Sequence, residues 1–336
     1  MAILKGKREL MARALGSSLL RPVGRALSGA TVLGLTYHRI CDFDVLDDGV
    51  ISASIDEFDW QLSFLKETIR VLSGEEVARL ASGQLTLREP ALVITFDDGY
   101  ADNLEAGRAL ARHGLPAIFF LTTSFINTDT ITLWDRIAFA VKRTEQPRLA
   151  LPALGDEDAQ TVDVTPRDLA IRRLLGIYTA LPGSLQERFT EAIELAAGAS
   201  VAGSVRERPL FMRWDDVRTL HALGHSIGAH THSHSILSQI PLEQQETELR
   251  VCNEAIAREI GVAPQLLAYP NGKQWTFSQQ TKALAQRMGY AAAFSFYGGH
   301  NEPDDLDAYD LRRVWVSPTE SRDLFRARIS FPQLLS

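Results

Sequence analysis

The chain has 336 residues, of which 45% are hydrophobic and 23% are charged, which is ordinary for a soluble globular protein. Its formal net charge of −7 argues against nonspecific binding of nucleic acid. Its two cysteines, Cys41 and Cys252, exclude a Cys-x-x-Cys metal site and a framework of disulfides, and such sparse use suits a reducing compartment.

Residues 1–30 are basic and carry an apolar pattern. Glu9 is their only acid, and the basic residues are Lys5, Lys7, Arg8, Arg13, Arg21 and Arg25. Leu4, Met11, Leu15 and Leu19 share one helical face, which Arg8 interrupts. No apolar run reaches the length of a transmembrane helix, and two arginines break the only candidate signal-peptide core. We expect a basic helix or arm, either packed on the domain or lying on an anionic membrane surface.

Strands alternate with helices between residues 31 and 128. The predicted strands are 31–37, 71–72, 91–95 and 117–121, and the predicted helices are 55–67, 75–80 and 103–113. Gly114 and Pro116 mark the end of the last helix. This alternation predicts parallel strands with helices outside them.

The pattern changes between residues 129 and 209, where we predict helices and no buried strand. The helices are expected at 134–141, 167–181 and 185–197, with a polar loop over 152–166. A helical insertion of this size either covers a site or decorates the surface.

The alternation resumes between residues 210 and 336. Helices are predicted at 215–223, 242–260 and 277–288, and strands at 226–229, 266–269, 291–296 and 313–316. The two segments in which strands and helices alternate flank the insertion in sequence, and both contain candidate functional residues.

Two adjacent carboxylates, Asp97 and Asp98, follow the buried strand that begins at Ala91. In α/β folds, functional groups cluster at this end of the strands. An Asp-Gly turn is one explanation of the pair. The other is a metal ion bound by one carboxylate and a reaction that uses its neighbour.

Three histidines, His230, His232 and His234, lie within five residues. In a helix or turn the outer two share a face, whereas in a strand all three align, so periodicity leaves the middle one open. A polar loop with incidental histidines is the alternative. Two histidines with one carboxylate form a common catalytic metal site, and a second carboxylate beside it can deprotonate water.

Four segments together resemble the polysaccharide deacetylase family, also described as the NodB-homology group or carbohydrate esterase family 4. Thr95–Tyr100 is similar to its first motif, Gly228–Leu237 to its second, and Leu267–Gly272 to the third motif of one branch. Tyr37-His38-Arg39 also resembles the start of that branch. The likeness spans residues 31 to 317 apart from the insertion.

The resemblance implies an α/β fold: a distorted or incomplete (β/α) barrel of the glycoside hydrolase/deacetylase type with a helical insertion. It implies that Asp97 is the general base and that Asp98, His230 and His234 bind a divalent metal, most simply zinc. Cobalt, nickel and iron suit the same ligands. The metal and a backbone N–H near Asn271 would stabilise the oxyanion.

The chain departs from the family pattern in two places. Ala268 stands where many members have an arginine that orients the base; Arg312 or Arg313 could replace it, and we predict Arg312. No Leu-x-His motif supplies a general acid near the C-terminus, so we predict His38, with His300 as the other candidate and a structural role for His38 as the alternative. The remaining histidines are expected on the surface; they are His113, His221 and His225.

We therefore predict a metal-dependent hydrolase that removes N-acetyl groups from an amino-sugar glycan or from its lipid- or nucleotide-linked precursor. The alternatives are an amide or imide hydrolase of small molecules and an inactive carbohydrate-binding protein. The expected partner is an N-acetylated sugar and not nucleic acid. We expect a cytoplasmic protein, and if residues 1–30 lie on a membrane and not on the domain, they contact its inner face. The domain boundaries expected are 1–30, 31–128, 129–209 and 210–336.

Overall fold

The computed structural model of the chain describes every residue except 1, 43–45, 47, 155–158 and 202–208. The predicted roles of Leu4, Arg8 and the rest of residues 2–8 in a helical face lie outside the described side chains. The chain divides into two compact units. The first consists of Met1–Asp42, Ile51–Thr128 and Phe211–Ser336, and the second of Phe43–Val50 and Asp129–Leu210.

Strands and helices alternate through most of the described residues. The strands are β1 (Val32–Tyr37), β2 (Arg39–Ile40), β3 (Ile51–Ala53), β4 (Arg70–Val71), β5 (Ala91–Phe96), β6 (Ile118–Leu121), β7 (Arg148–Leu151), β8 (Gln160–Asp163), β9 (Ser226–Ala229), β10 (Leu266–Ala268), β11 (Ala292–Phe294) and β12 (Arg313–Trp315). The helices are α1 (Ala2–Leu15), α2 (Arg21–Ser28), α3 (Ile55–Thr68), α4 (Gly74–Ala81), α5 (Asn103–His113), α6 (Leu133–Arg143), α7 (Arg167–Ala180), α8 (Gly183–Ala197), α9 (Trp214–Ala222), α10 (Leu242–Ile260), α11 (Gln279–Arg287), α12 (Arg322–Ser330) and α13 (Pro332–Leu335).

Seven parallel strands of the first unit form a sheet in the order β11-β10-β9-β6-β5-β1-β12. Strand β4 pairs with the start of β5. Leu311, just before β12, forms a parallel bridge with Phe294 of β11, so the two ends of the sheet approach each other. The result is a nearly closed barrel with one seam, which confirms the predicted distorted or incomplete (β/α) barrel.

Local sequence signals account for the main elements. All six residues of β5 are buried, as a strand covered on both faces requires. Helix α5 ends at Gly114 and helix α10 at Gly261, whose φ angles of 70° and 82° are left-handed and favour glycine. Both helices have the bounds that the sequence predicts.

The prediction that the insertion contains no strand is wrong. Strands β7 and β8 pair antiparallel there, and β8 lies within the segment predicted as a loop. Leu149, Leu151 and Val162 are buried, and their neighbours within the two strands are exposed. Strands of four residues with only one or two buried apolar positions are too short to show a recognisable period.

The second unit has its own apolar core, built from the hairpin and from helices α6, α7 and α8. Leu149, Leu174 and Ile193 lie at its centre and are fully buried. Arg136 of α6 links the helices, because its guanidinium contacts the carboxylates of Glu187 and Glu194 on α8, each at 2.6 Å. Among the helices described in either unit, none combines the length and apolar character needed to cross a bilayer.

Candidate active site

The carboxyl ends of four barrel strands carry the residues that the sequence singles out. His38 follows β1, Asp97 and Asp98 follow β5, His230 follows β9, and Asn271 lies three residues beyond β10. Because parallel strands end at a common edge, residues far apart in sequence are brought together there.

The side chain of Asp97 is held by a buried arginine. The guanidinium of Arg313 donates two hydrogen bonds to its carboxylate, from Nη1 to Oδ1 at 2.7 Å and from Nη2 to Oδ2 at 2.9 Å. Arg313 is 0% exposed and Asp97 is 2% exposed. Such a two-pronged pair fixes orientation as well as charge.

Arg313 lies in β12, two strands away from β5, and its side chain runs through the interior of the barrel. Its Nε donates to the carbonyl of Ser295 at 3.0 Å, and Nη1 also donates to Thr95 Oγ1 at 2.9 Å. The guanidinium lies 5.4–5.8 Å from the ring centres of Phe120, Phe294 and Phe296. These polar and aromatic neighbours together hold the charge away from water.

The choice of Arg312 as the orienting residue is therefore corrected to Arg313. Arg312 lies over the ring of Tyr297 at 5.7 Å, and its backbone bonds to the side chain of Asn301. Adjacent residues of a strand point to opposite faces, so only one of the two can enter the barrel. The sequence holds both arginines and gives no period that decides between them.

Asp98, His230 and His234 bring three potential metal ligands together. One donor atom from each lies within 4.8 Å of the others. Asp98 Oδ1 is 3.5 Å from His230 Nε2 and 3.3 Å from His234 Nε2. The structure groups these three residues as the resemblance implies, and His232 is not among them.

The histidine loop is neither helix nor strand, and its outer two histidines lie together while His232 points elsewhere, as expected for a turn and not for a strand. Its backbone bonds to the residues that follow β6: Thr123 N–H donates to Thr231 O, and Ser124 N–H to His232 O at 2.9 Å. The side chain of His232 turns to Thr123 Oγ1, 3.0 Å from its Nδ1. These contacts separate His232 from the two outer histidines.

Glu248 of α10 supports the same loop, because its carboxylate accepts from both the N–H and the hydroxyl of Ser233 at 2.7 Å. Nothing in the sequence period links Glu248 to the histidines. Its role depends on α10 returning past the end of β9, which only the tertiary structure shows.

Several non-glycine residues of this edge have left-handed backbone. The φ angles are 74° at Asp98, 64° at Thr231, 60° at His234 and 62° at Asn271. This conformation costs energy for residues with a Cβ atom and is concentrated at functional sites. Two of these four residues, Asp98 and His234, are potential metal ligands, and Asn271 is the residue expected beside the oxyanion.

The surroundings set the charge states of the site. Burial opposes ionisation of Asp97, but the Arg313 guanidinium, with help from His230 and His38, lowers the pKa of this carboxyl to about 2. Burial lowers the pKa of His230 and lowers that of His234 well below the usual value. At neutral pH Asp97 is therefore a carboxylate, and both imidazoles are neutral as metal binding requires.

The residues found also fit a metal ion by geometry. The Nδ1 of His230 lies 2.8 Å from the carbonyl of Ala268, which holds the proton on Nδ1 and leaves Nε2 as a lone pair facing Asp98. Ligands of a tetrahedral zinc ion lie about 3.3 Å apart when the bonds are about 2.0–2.1 Å long. The separations of Asp98 from the two histidines match that spacing.

The structure separates the two candidates for the general acid. His38 is electrostatically coupled to Asp97 and His230, and its Nδ1 is buried with no hydrogen-bond partner among the described residues. His300 lies next to Asn301, which pairs with Val32 at the amino end of β1. His300 is therefore at the opposite edge of the barrel and is no candidate.

Two further findings were missed from the sequence. A Cβ atom at Gly34 of β1 would lie 2.8 Å from Cγ of Arg313, so this glycine leaves room for the arginine inside the barrel. The expectation that His225 is on the surface is wrong, since it is 3% exposed and packs on Phe119. For Gly34, the only signal in the sequence is a glycine within an apolar strand.

A family model and several solved structures match this chain. The family model for polysaccharide deacetylase matches residues 84–293. A search of curated protein sequences finds no match.

Solved structures share the fold at low sequence identity. The deacetylase PplD of Streptococcus pyogenes in complex with acetate is 17% identical with a TM-score of 0.56, covering 87% of this chain and 95% of that one. IcaB of Ammonifex degensii is 16% identical with a TM-score of 0.58, covering 91% and 98%. The de-N-acetylase of Aggregatibacter actinomycetemcomitans is 16% identical with a TM-score of 0.52, covering 87% and 97%.

The family match extends over more than half of the chain and includes Asp97, Asp98, His230 and His234. The chain belongs to the polysaccharide deacetylase family and is a hydrolase of carbon–nitrogen bonds other than peptide bonds.

Proposed function

We propose that the protein removes N-acetyl groups from an amino-sugar glycan, or from its lipid- or nucleotide-linked precursor, with the help of a divalent metal ion. One observation carries the proposal: a buried carboxylate, Asp97, lies next in sequence to Asp98, whose Oδ1 is 3.3–3.5 Å from two imidazole nitrogens. This combines a base with a ligand set that leaves coordination positions open.

Asp98, His230 and His234 would hold the metal. Two nitrogen ligands and one oxygen ligand suit zinc first, and cobalt, nickel or iron next. When bound, the ion supplies Lewis-acid activation of water and of the acetamide carbonyl. The Nδ1 of His230 is held by the carbonyl of Ala268, so the ring is oriented, with Nε2 available, before the ion binds.

Asp97 acts as the general base. It takes a proton from the water whose oxygen attacks the acetamide carbon, and the C–N bond then breaks to give acetate and a free amine. Arg313 directs the carboxylate and keeps it ionised until that step. Its role is positioning, because its guanidinium is fully buried behind Asp97.

Asn271 and His38 complete the proposed site. The left-handed backbone conformation of Asn271 turns the chain after β10, so that a backbone N–H can donate to the developing oxyanion. Burial lowers the pKa of His38 to about 4, so at neutral pH this ring is neutral. To protonate the leaving amine, His38 must first receive a proton, and the one taken up by Asp97 is the nearest source.

Acetate release from N-acetylglucosamine oligomers tests the proposal, with turnover of cyclic ureides as the comparison. We expect acetate release from at least one N-acetylated glycan and no ureide turnover. Hydrolysis of ureides without acetate release from any glycan would favour a small-molecule amide hydrolase. Binding of glycans without turnover of either substrate would indicate a binding protein.

A further inference from the structure

Helix α2 presents an unusual surface to solvent. Leu19, in the turn before the helix, and Val23 and Leu27 within it are 80%, 49% and 75% exposed, and they follow one another at intervals of four residues. Pro22 and Ala26 are exposed between them, so this face contains no polar side chain. We call these five residues the α2 face. Single exposed apolar residues are ordinary, whereas a continuous stripe marks an interaction surface.

The opposite side of α2 is fixed to the first unit. Ser28 donates to the carbonyl of Gly24 and to Gln333 Oε1, and a Cβ atom at Gly24 would lie 2.5 Å from the carbonyl of Ser330. The α2 face therefore points outward because the helix is held from behind.

Of the basic residues nearby, the two arginines of α2 contact helix α3 of the first unit. Arg21 lies over the ring of Phe64 at 5.3 Å, and Arg25 donates to the carbonyl of Thr68. Arg13, in α1, has a side chain that is 76% exposed. With six basic residues and one acid, residues 1–30 have a net charge of +5, against −7 for the whole chain.

An open cavity of about 480 Å³ lies beside the start of α2. It offers two guanidinium groups and two hydroxyls, from Arg21, Arg326, Ser17 and Ser18, and it also contains Glu67 and Asp323. Asp323 bonds to Arg326 at 3.1 Å. The Nε of Arg21 is buried with no hydrogen-bond partner in the part of the chain that the structure describes, so a donor without an acceptor lies next to this cavity.

We propose that the α2 face docks on the surface of an anionic phospholipid bilayer. Its aliphatic side chains would enter the interface between headgroups and acyl chains, while Arg13 and the other basic residues of 1–30 would contact phosphates. The positive charge of residues 1–30 within an acidic protein favours an anionic surface over a neutral one. This proposal is independent of the deacetylase site, because it uses no residue of that site.

Sedimentation of the full-length protein with lipid vesicles tests the proposal. We compare vesicles of phosphatidylcholine alone with vesicles that also contain phosphatidylglycerol. Because basic residues near such a surface are attracted to anionic headgroups, we expect at least a roughly tenfold higher partition coefficient on the anionic vesicles, and a lower one at high salt.

The triple variant Leu19→Ser, Val23→Ser, Leu27→Ser removes the apolar stripe. We expect its partition coefficient on anionic vesicles to fall roughly tenfold or more. The matched control is Leu169→Ser, Leu195→Ser, Val262→Ser, which replaces residues that are 53%, 85% and 51% exposed elsewhere. This control should partition like the wild type. Circular dichroism and acetate release confirm that both variants are folded.

Two results would overturn the proposal. One is equal partition of the α2-face variant and the wild type on anionic vesicles. The other is a wild-type protein that ignores vesicles but forms a dimer by light scattering, with the α2-face variant monomeric; the occupant would then be a second copy.

Discussion

Strand β9 has a buried histidine at each end, and the two illustrate how the ends of the barrel differ. His225 precedes the strand and His230 follows it; each has one ring nitrogen 2.8–2.9 Å from a backbone carbonyl. Burial lowers the pKa of both. At the carboxyl end, the second nitrogen of His230 faces Asp98, whereas that of His225 has no hydrogen-bond partner among the described residues. The neighbours of a buried histidine, and not its burial, identify a ligand.

The two adjacent arginines repeat the contrast. Arg313 reaches the carboxyl end and holds Asp97, and Arg312 bonds through its backbone to Asn301, which pairs with the first residue of β1. Chemistry is thus expected to depend on groups of the carboxyl end, while the amino end contributes stability. The following substitutions test this division.

The largest effect is expected from Asp97→Asn, which removes the proposed base without changing its size. Acetate release should fall by on the order of 10²–10⁴, with metal content near normal. The matched control is Asp135→Asn, which alters a fully buried aspartate of the second unit that bonds to Thr132. Its activity per folded molecule should stay unchanged. Full activity of Asp97→Asn would contradict the mechanism.

The two histidines of β9 provide the next comparison. His230→Gln should weaken metal binding by at least about a hundredfold and abolish most turnover, because a ligand is lost. His225→Gln should keep the metal content of the wild type. Elemental analysis of both purified variants measures this, and equal metal loss would show that the two ends of β9 are not distinct.

Arg313→Lys should lower kcat by about a hundredfold, since a lysine cannot reproduce the two parallel hydrogen bonds. The pKa of Asp97 should rise at the same time, so the acidic limb of the pH–rate profile moves to higher pH. A role in stability alone would not move this limb. Arg312→Lys is the control, and its kcat should stay within about a factor of two of the wild type.

Gly34→Ala should place a methyl group against Arg313 and misalign Asp97, lowering kcat by about tenfold or more. Gly176→Ala in α7 adds the same methyl group to open space. This control should raise stability by up to about 1 kcal/mol through helix propensity and leave kcat unchanged. If Gly34→Ala left kcat unchanged, Arg313 would not be tightly confined.

The smallest effect concerns pH and stability at the amino end. Because burial lowers the pKa of His225 in the folded protein, the unfolded chain binds its proton first as the pH falls through about 6.5. His225 therefore contributes stability above that pH, which is lost as the pH falls towards the folded pKa, by at most about 1.4 kcal/mol per pH unit.

Urea unfolding of the wild type and of His225→Gln, on either side of that pH, measures this difference. The variant should lose less stability on acidification. An equal loss in both proteins would assign the pH dependence to other groups.

The sequence predicted the barrel strands well, because buried parallel strands are apolar runs and the helices between them end at glycines. It also singled out Asp98, His230 and His234, which the structure brings together as potential metal ligands. It could not choose between Arg312 and Arg313, since strand register decides which one enters the barrel, nor find Gly34, which matters only beside that arginine. The prediction that His225 is exposed was wrong because a single polar residue before a strand has no periodic pattern that would show whether it is buried.

The central claim is that Asp98, His230 and His234 hold a metal on which deacetylation depends. The most direct test measures metal content and acetate release from N-acetylglucosamine oligomers on the same sample, before and after chelation and after return of zinc. The account predicts about one metal ion per chain, loss of acetate release with the metal, and recovery when zinc is returned. Undiminished acetate release from metal-free protein would contradict it.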